Sequence, residues 1–252
     1  MNPRILAIIP TLDDDPSETI KSLMNQTVRV SKILVITGTR SLYKKLTSNN
    51  SSDILQIFYD KPNLQYLVGK RIAIGINRAL STVNLNDYDY LVRADADAIL
   101  PQDFIEENMK LDADYVGKAG YAMLLKMSCF LKVFGGRFAE VGVEDSYIGL
   151  KLLSQGYSVR TWALPPRLKR KSGIHHTWRY YFTRGIEVYR IGYEPIHVTE
   201  FLRNGIKNIF TLLAYYISII KRTERYDIAG WVFREQWRRI VYGKQRKDRQ
   251  IR

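Results

Sequence analysis

Three short apolar runs constrain the fold of this chain more than any other feature of its sequence. They are Ile5–Ile9, Ile33–Ile36 and Tyr90–Val92, and each is rich in aliphatic residues with high strand propensity. A strand that is apolar at consecutive positions, rather than at alternate ones, is covered on both of its faces. The runs therefore predict interior strands of a mostly parallel sheet with helices on both sides.

The segments between these runs have helical patterns. Asp15 and Pro16 suit the start of a helix, and apolar residues then recur at helical spacing in two stretches: Ile20, Leu23 and Met24, and Ile72, Ile76, Ala79 and Leu80. With a further strand near Ile54–Phe58, the order β-α-β-β-α-β predicts an α/β fold. Ligands of such folds bind beyond the carboxyl ends of the strands.

Two carboxylates, Asp95 and Asp97, follow the run Tyr90–Val92 at such an end. Like charges this close disfavour each other's ionisation unless a positive group lies beside them. Mg²⁺ and Mn²⁺ prefer oxygen ligands and are often held by one or two carboxylates together with the phosphates of a substrate. The pair therefore suits a metal–diphosphate site, and the alternative is a solvated acidic turn before Pro101.

Composition limits the possible functions. The chain has 252 residues, enough for one α/β domain with a small appendage, and a formal net charge of +14, which favours an anionic partner. Cys129 is its single cysteine, which excludes an internal disulfide and fits a reducing compartment. The first apolar run is too short for a secretory signal, and no segment approaches the ~20 apolar residues of a membrane span. We therefore expect a cytoplasmic protein.

Five segments in order resemble family-two glycosyltransferases of the GT-A fold. They are Ile5–Thr11, Ser22–Thr27, Gly69–Asn77, Asp95–Asp97 and Glu144–Asp145. The resemblance covers roughly the first two-thirds of the chain. It implies a Rossmann-like sheet and a metal-dependent enzyme, with Mn²⁺ or Mg²⁺ as cofactor. Such an enzyme transfers a sugar, with inversion, from a nucleoside-diphosphate sugar to an acceptor hydroxyl or to a lipid-linked phosphate or saccharide.

The resemblance also assigns roles to individual residues. The turn Pro10, Thr11 and Leu12 would pack the nucleotide base. Lys70 and Arg71 would bring positive charge to the diphosphate. Asp95 and Asp97 would form the metal motif, with Asp97 the direct ligand. Gly136, within Gly135–Phe138, would lie beside the acceptor pocket. The catalytic base would be Asp145, supported by Glu144, and His176, or its neighbour His175, would be a further metal ligand.

The role of Asp145 agrees with its chemistry. Inverting transfer needs a base opposite the leaving diphosphate, and partial burial beside Glu144 should raise the pKa of Asp145 above its ordinary ~3.9. The role given to His175 or His176 also agrees with chemistry, because a neutral imidazole can ligate manganese. The structural alternatives are that both acids favour the N-terminus of a helix over residues 146–153, and that one histidine caps a helix over residues 178–191.

The end of the chain has a different character. We expect a glycosyltransferase domain over residues 1–200 and a helical, basic extension over residues 201–252. Apolar residues recur there at helical spacing, and lysine and arginine alternate with aromatic residues further on: Ile206, Ile209, Phe210, Leu213, Ile217, Ile220, Trp231, Phe233 and Trp237. This pattern suits peripheral contact with an anionic membrane, and the alternative is a helix packed on its own domain with a solvated tail.

Two other classes of function compete with glycosyl transfer. A nucleotidyltransferase could use the same metal–diphosphate chemistry, although the glycine-rich segment Gly38–Arg40 follows the second strand rather than the first. A nucleic-acid-binding module would explain the positive charge but not the four acids, which repel phosphate without a metal. The sequence therefore favours a nucleotide-sugar donor and disfavours nucleic acid.

Overall fold

A computed structural model of the chain describes residues 2–48, 50, 52–118, 120–169 and 177–242. The chain divides into two compact units, Met1–Arg170 and Lys171–Arg252. The first holds the sheet and the second is helical. The boundary between the compact units therefore lies before residue 200. The functional boundary that the sequence predicts at residue 200 is a separate claim and stays a prediction.

The first unit is built on a seven-stranded sheet in the order β3-β2-β1-β4-β7-β6-β8, and a small second sheet pairs β5 with β9. The strands of the described chain are β1 Ile5–Thr11, β2 Lys32–Thr37, β3 Leu55–Tyr59, β4 Tyr90–Ala94, β5 Ala98–Ile99, β6 Tyr115–Gly117, β7 Ala122–Lys126, β8 Val159–Arg160 and β9 Arg167–Leu168. Strands β1 to β4 are mutually parallel, and β7 runs antiparallel to both β4 and β6. The predicted fold class, an α/β protein with a mostly parallel central sheet and a helical extension, is confirmed.

Helices cover both faces of this sheet. Those of the first unit are α1 Ser17–Met24, α2 Arg40–Ser48, α3 Val68–Leu80, α4 Phe104–Met109, α5 Met127–Phe134 and α6 Glu144–Ser154. Those of the second unit are α7 Trp178–Ile191, α8 Pro195–Thr199, α9 Ile209–Ile220 and α10 Ala229–Tyr242.

Strand β1 shows why its run of apolar residues is continuous. Ile5, Ala7 and Ile9 face a core layer formed with α1, α2 and α4. Leu6 and Ile8 face the opposite layer, formed with α3, α5 and α6. All five side chains are fully buried, so the strand contributes to two cores at once.

One prediction of secondary structure was wrong. The predicted order lacked a helix between β2 and β3, where α2 lies; this helix buries only Leu42 and Leu46, so its sequence pattern is weak. Within residues 201–220, Gly205 has a φ of 127° and separates two 3₁₀ segments that precede α9. Helix α7, in contrast, has the predicted bounds.

No helix in the described part of the chain combines the length and apolar character needed to cross a membrane.

Candidate active site

The carboxyl ends of the parallel strands bring distant segments to one edge of the sheet. In the pairing of β1 with β4, Ile8 lies opposite Arg93, so the residues that follow each strand leave the sheet at the same edge. They are Leu12, which follows Thr11 at the end of β1, and the turn Asp95–Asp97 after β4. The edge predicted from the sequence as the ligand side therefore carries both predicted motifs.

The turn after β4 is held in place by hydrogen bonds from both sides. The buried Thr19 of α1 donates its hydroxyl to the carbonyl of Ala96 at 2.8 Å. The amide of Lys169, next to β9, donates to the carbonyl of Asp97 at 3.0 Å. Because the backbone of the turn is fixed by these contacts, the carboxylates of Asp95 and Asp97 have a defined position at the edge.

Arg93 connects this turn to the second pair of acids. Its side chain is charged and yet only 2% exposed, because β4 is an interior strand. Its Nη2 lies 3.0 Å from Oε1 of Glu144 and 3.4 Å from Oδ1 of Asp95. One buried guanidinium thus links β4 to the start of α6, and the two acidic motifs form a single cluster.

Burial and mutual repulsion perturb the ionisation of this cluster. Desolvation raises the pKa of Glu144 to about 7, against the opposing effect of Arg93, and the charge of Asp145 adds to the rise. Desolvation likewise raises the pKa of Asp95 to about 6, with Asp97 and Asp145 contributing in the same direction. Burial alone would lower the pKa of Arg93, but Glu144 and Asp95 raise it overall, so the guanidinium stays charged. Perturbed groups in a cluster of this kind are typical of functional sites.

Glu144 and Asp145 differ in accessibility. Glu144 is 5% exposed and faces Arg93, whereas Asp145 is partly exposed, and its Oδ1 accepts a hydrogen bond from the amide of Ser146 at 2.7 Å. Both acids lie in the first turn of α6, where the helix dipole favours negative charge, but the N-cap position is Val143. Neither acid therefore serves as the cap residue, and only Asp145 can reach a ligand from solvent.

Two glycines make room for these acids. A Cβ on Gly69, in the first turn of α3, would collide with Oε2 of Glu144 and with the backbone carbonyl of Gly142. A Cβ on Gly120 would lie 2.6 Å from Oδ2 of Asp145, and the φ of Gly120 is 75°. Each glycine thus permits a close approach that a side chain would prevent.

Two basic residues lie in the first turn of α3, beside the carboxylate cluster. Lys70 and Arg71 follow Gly69 directly, and Nζ of Lys70 lies 4.4 Å from the centre of the Tyr66 ring. The buried Nε of Arg71 has no hydrogen-bond partner among the described residues. The start of α3 therefore presents positive charge, and its own helix dipole, close to Glu144.

The segment Thr11–Leu12 is fixed by the neighbouring strand. The amide of Gly38 donates to the carbonyls of both Thr11 and Leu12 at 3.0 Å, and a Cβ on Gly38 would collide with the Leu12 side chain. Pro10 pairs with Ile36 within the sheet, and Leu12 is exposed. The exposed Leu12 lies at this edge of the sheet, and its contact with a nucleotide base stays a prediction.

Gly136 lies elsewhere. It is buried against Leu85, beyond the C-terminal end of α3, whereas Glu144 lies at the N-terminal end of that helix. Asn77 holds this segment by accepting from the amide of Phe138 at 2.7 Å and donating to its carbonyl at 2.9 Å. The structure therefore does not bring Gly136 to the carboxylate cluster, and its role at the acceptor side stays a prediction.

The acids at the edge fit a metal site of two carboxylates. Across residues 2–48, 50, 52–118, 120–169 and 177–242, no group of three or more histidine, cysteine, aspartate or glutamate side chains could hold a metal ion. Asp95 and Asp97 supply two carboxylates, which suits Mg²⁺ or Mn²⁺ when phosphate oxygens and water complete the shell. Arg93 engages Asp95, which favours Asp97 as the ligand. His175 and His176 lie outside the described residues.

The residues that join the motifs were not predicted from the sequence. Arg93 was given no role, although a charged residue inside an apolar strand is a signal that a buried partner exists. Gly120 lies between β6 and β7 with no motif around it. Thr19 lies within an ordinary helical pattern. Their partners Glu144, Asp145 and Ala96 lie far away from them in sequence, so local patterns could not identify these contacts.

Comparisons with known proteins found no matching family model and no matching curated protein. Among solved structures, the chain is similar to glucosyl-3-phosphoglycerate synthase from Mycobacterium tuberculosis in complex with Mn²⁺, uridine diphosphate and phosphoglyceric acid. The two sequences are 10% identical, the match covers 67% of this chain and 72% of that chain, and the TM-score is 0.46. It is also similar to Rv0371c from Mycobacterium tuberculosis H37Rv, with 9% identity, coverage of 66% and 92%, and a TM-score of 0.46. A cytidylyltransferase from Leptospira borgpetersenii has 10% identity, coverage of 88% and 96%, and a TM-score of 0.45.

Proposed function

We propose that this chain is an inverting, metal-dependent glycosyltransferase similar to those of family two. It transfers a sugar from a nucleoside-diphosphate sugar to the hydroxyl of an acceptor. One observation supports this most: the acids of the Asp95–Asp97 turn and of the α6 start meet around the buried Arg93 at the ligand edge of the sheet. The first pair suits the donor and the second suits the acceptor.

The donor diphosphate would bind between the turn after β4 and the start of α3. Asp97, with Asp95, would hold Mn²⁺ or Mg²⁺, which when bound supplies positive charge that stabilises the leaving diphosphate. Lys70 and Arg71 would contribute further positive charge from the start of α3. Pro10, Thr11 and Leu12 would contact the nucleotide base at the end of β1.

Asp145 would act as the general base. The acceptor oxygen forms a bond to the anomeric carbon while the bond from that carbon to the diphosphate oxygen breaks, and its electron pair leaves with the diphosphate. The acceptor proton passes to the Asp145 carboxylate, which is accessible, whereas Glu144 is buried and positions Arg93. Attack on the face opposite the leaving group inverts the configuration.

The acceptor would be a glycan or a lipid-linked saccharide or phosphate. We assign transfer to residues 1–200 and contact with an acceptor-bearing surface to residues 201–252. In this proposal the protein is cytoplasmic and peripheral on the inner face of the membrane. His176 would be a further metal ligand, as the resemblance implies.

The proposal is tested by release of nucleoside diphosphate from a panel of uridine, guanosine, adenosine and thymidine diphosphate sugars with Mn²⁺ and candidate acceptors. Asp145→Asn should bind donor as the wild type does and lose transfer by about 10²- to 10⁴-fold, the range for general-base assistance. Asp97→Ala should lose Mn²⁺-dependent donor binding. The matched control is Asp103→Asn, which changes an exposed aspartate of the same unit and should leave both properties unchanged.

Three outcomes would contradict the proposal. Normal turnover of Asp145→Asn would remove Asp145 as the base, and retained Mn²⁺-dependent affinity in Asp97→Ala would remove the metal ligand. Release of pyrophosphate from nucleoside triphosphates, with no turnover of nucleotide sugars, would identify a nucleotidyltransferase instead.

A further inference from the structure

Helix α9 has its amphipathic pattern reversed. The residues that it buries are small or carry a hydroxyl group: Thr211, Ala214, Tyr215 and Ser218. The residues that it exposes are large and mostly aliphatic: Ile209, Leu213, Tyr216, Ile217, Ile219 and Ile220. A helix that only packs on its own domain buries its large apolar residues, so this pattern indicates a second contact surface.

Contacts with α7 fix the orientation of this helix. A Cβ on Gly185 of α7 would collide with the backbone carbonyl of Thr211 and would lie 2.8 Å from Cβ of Ala214. The hydroxyl of Thr211 donates to the carbonyl of Tyr181 at 3.0 Å, and that of Tyr215 donates to the carbonyl of Tyr193 at 2.7 Å. The small and hydroxyl-bearing face therefore fits α7 closely, and rotating the helix would break these contacts.

The exposed residues form one continuous strip. Ile206, just before the helix, and Ile220, at its last turn, are each 81% exposed, and Leu213 between them is 51% exposed. With Ile209 and Ile217, the strip has the spacing of three and four residues that places side chains on one face. We call Ile206, Ile209, Leu213, Ile217 and Ile220 the α9 strip.

Charge is confined to the ends of the strip. The sequence of α9 contains no charged residue, whereas Lys207 precedes it and Lys221 and Arg222 follow it, all three exposed. An apolar centre with cationic ends is complementary to a bilayer surface that has apolar chains below anionic headgroups. The helix has 12 residues, about 18 Å at 1.5 Å per residue, too short to span the ~30 Å hydrocarbon core. It would therefore lie in the plane of the membrane.

Charge also argues against a second copy of this chain as the occupant. If two α9 helices packed strip against strip, an antiparallel arrangement would place Lys207 of one copy near Lys221 and Arg222 of the other. A parallel arrangement would place each basic end against its own counterpart. Like charges meet in both cases, and this disfavours self-association along the strip.

We propose that the α9 strip inserts into the surface of an anionic lipid bilayer and anchors the chain there as a peripheral protein. This goes beyond the transfer reaction and specifies which element makes the contact. Helix α10 also exposes two large apolar residues, Trp237 and Ile240, whereas its Trp231 and Phe233 are half-buried, so its apolar surface is smaller than the α9 strip. The inference does not depend on the identity of the donor or of the catalytic residues.

The first test is flotation of the full chain with two kinds of vesicle. One kind is phosphatidylcholine alone, and the other also contains about 30 mol % phosphatidylglycerol, which is anionic. The wild type should bind the anionic vesicles more strongly. Leu213→Glu with Ile220→Glu should weaken this binding by about tenfold or more, because two charges would enter the apolar layer. These side chains are exposed, so the unfolding temperature should not change.

The matched control is Leu64→Glu with Val68→Glu, since those side chains are 75% and 61% exposed on the other unit and the variant has the same net charge. It should bind vesicles as the wild type does. Equal losses in both variants would mean that binding follows net charge alone and would overturn the proposal. A wild type that ignores vesicles and forms a dimer, dispersed by Leu213→Glu, would also overturn it.

A second measurement reports depth directly. The single native thiol, Cys129, is buried, so Leu213→Cys supplies an accessible thiol for an environment-sensitive fluorophore. The label at position 213 should shift to shorter wavelength with anionic vesicles, and the same label on Leu64→Cys should not. No shift at position 213 would contradict insertion. Asp97→Ala should keep the lipid binding of the wild type, which separates this test from that of the transfer reaction.

Discussion

Arg93 is the residue on which the geometry of the candidate site depends. Its guanidinium faces Glu144 and Asp95 in the interior, and its Nε and Nη1 have no hydrogen-bond partner among the described residues. A buried ion pair adds little net stability compared with apolar residues, but removing one partner leaves an uncompensated charge. The main role of Arg93 is therefore to hold two acidic motifs in one arrangement.

We predict that Arg93→Met lowers the free energy of unfolding by about 3–5 kcal/mol, the typical cost of an unpaired buried charge. Adding Glu144→Gln should recover part of this loss, because glutamine cannot ionise. Arg78→Met is the control, since Arg78 pairs with Asp60 but its side chain is 66% exposed, and its loss should cost about 0–1 kcal/mol. Urea denaturation measures all three, and additive losses in the double variant would contradict the coupling of Arg93 to Glu144.

The ionisation of Glu144 predicts a pH dependence of stability. Its pKa in the folded chain is about 7, above the value of 4.5 for an unperturbed glutamate. The folded state thus binds the proton more tightly than the unfolded state. The resulting stability is fully present below about pH 4.5 and is lost as pH rises through 7.

Glu144→Gln should remove this dependence. Without divalent cations, the stability of the variant relative to the wild type should rise between pH 5 and pH 7, by up to about 1.4 kcal/mol for each pH unit. Denaturant unfolding of both proteins at a series of pH values measures the difference. A difference that does not change with pH, or that falls as pH rises, would contradict the assignment.

At the scale of single elements, α7 and α9 depend on a close backbone contact at Gly185. We predict that Gly185→Ala lowers the free energy of unfolding of the second unit by about 1–3 kcal/mol, because the new methyl group meets the carbonyl of Thr211, which cannot move without shifting α9. Gly230→Ala in α10 is the control, since the nearest atom to its Cβ would be the flexible end of Arg234 at 3.8 Å. Thermal unfolding compares the two, and equal stabilities would contradict the packing of α7 against α9.

Elements with strong periodic patterns were predictable from the sequence, and elements set by distant contacts were not. Strands β1, β2 and β4 were predicted because burial on both faces leaves continuous apolar runs. Helix α2 was missed because its two buried leucines are embedded in a polar segment. The two-residue strands β5 and β9 exist only through their mutual pairing, which leaves no local pattern.

The candidate site likewise has a part that the sequence predicted and a part that it could not predict. Asp95 and Asp97 were identified because two acids after an apolar strand are unusual in any sequence. Their connection to Glu144 through Arg93 could not be predicted, since it depends on where α6 begins relative to β4. Gly136 was singled out by a short local motif. The structure places it at the other end of α3 from Glu144, and its role at the acceptor side stays a prediction.

For the whole molecule, the distribution of positive charge fits the two anionic partners proposed above, one at each of two places. The net charge of +14 includes basic residues beside the acidic cluster and at both ends of the α9 strip. A diphosphate with its metal would occupy the first place, and anionic lipid the second. The acids at the ligand edge repel phosphate unless a cation is present, so donor binding should require the divalent metal.

Thermal unfolding of the full chain with a panel of nucleoside diphosphates, with and without Mn²⁺, tests the central claim most directly. A ligand at 100 times its dissociation constant stabilises the folded state by about 2.7 kcal/mol, which raises the unfolding temperature by several degrees. We predict that at least one nucleoside diphosphate does so only with Mn²⁺, in the wild type and in Asp103→Asn but not in Asp97→Ala. No stabilisation by any of them, or an equal response in Asp97→Ala, would contradict the account.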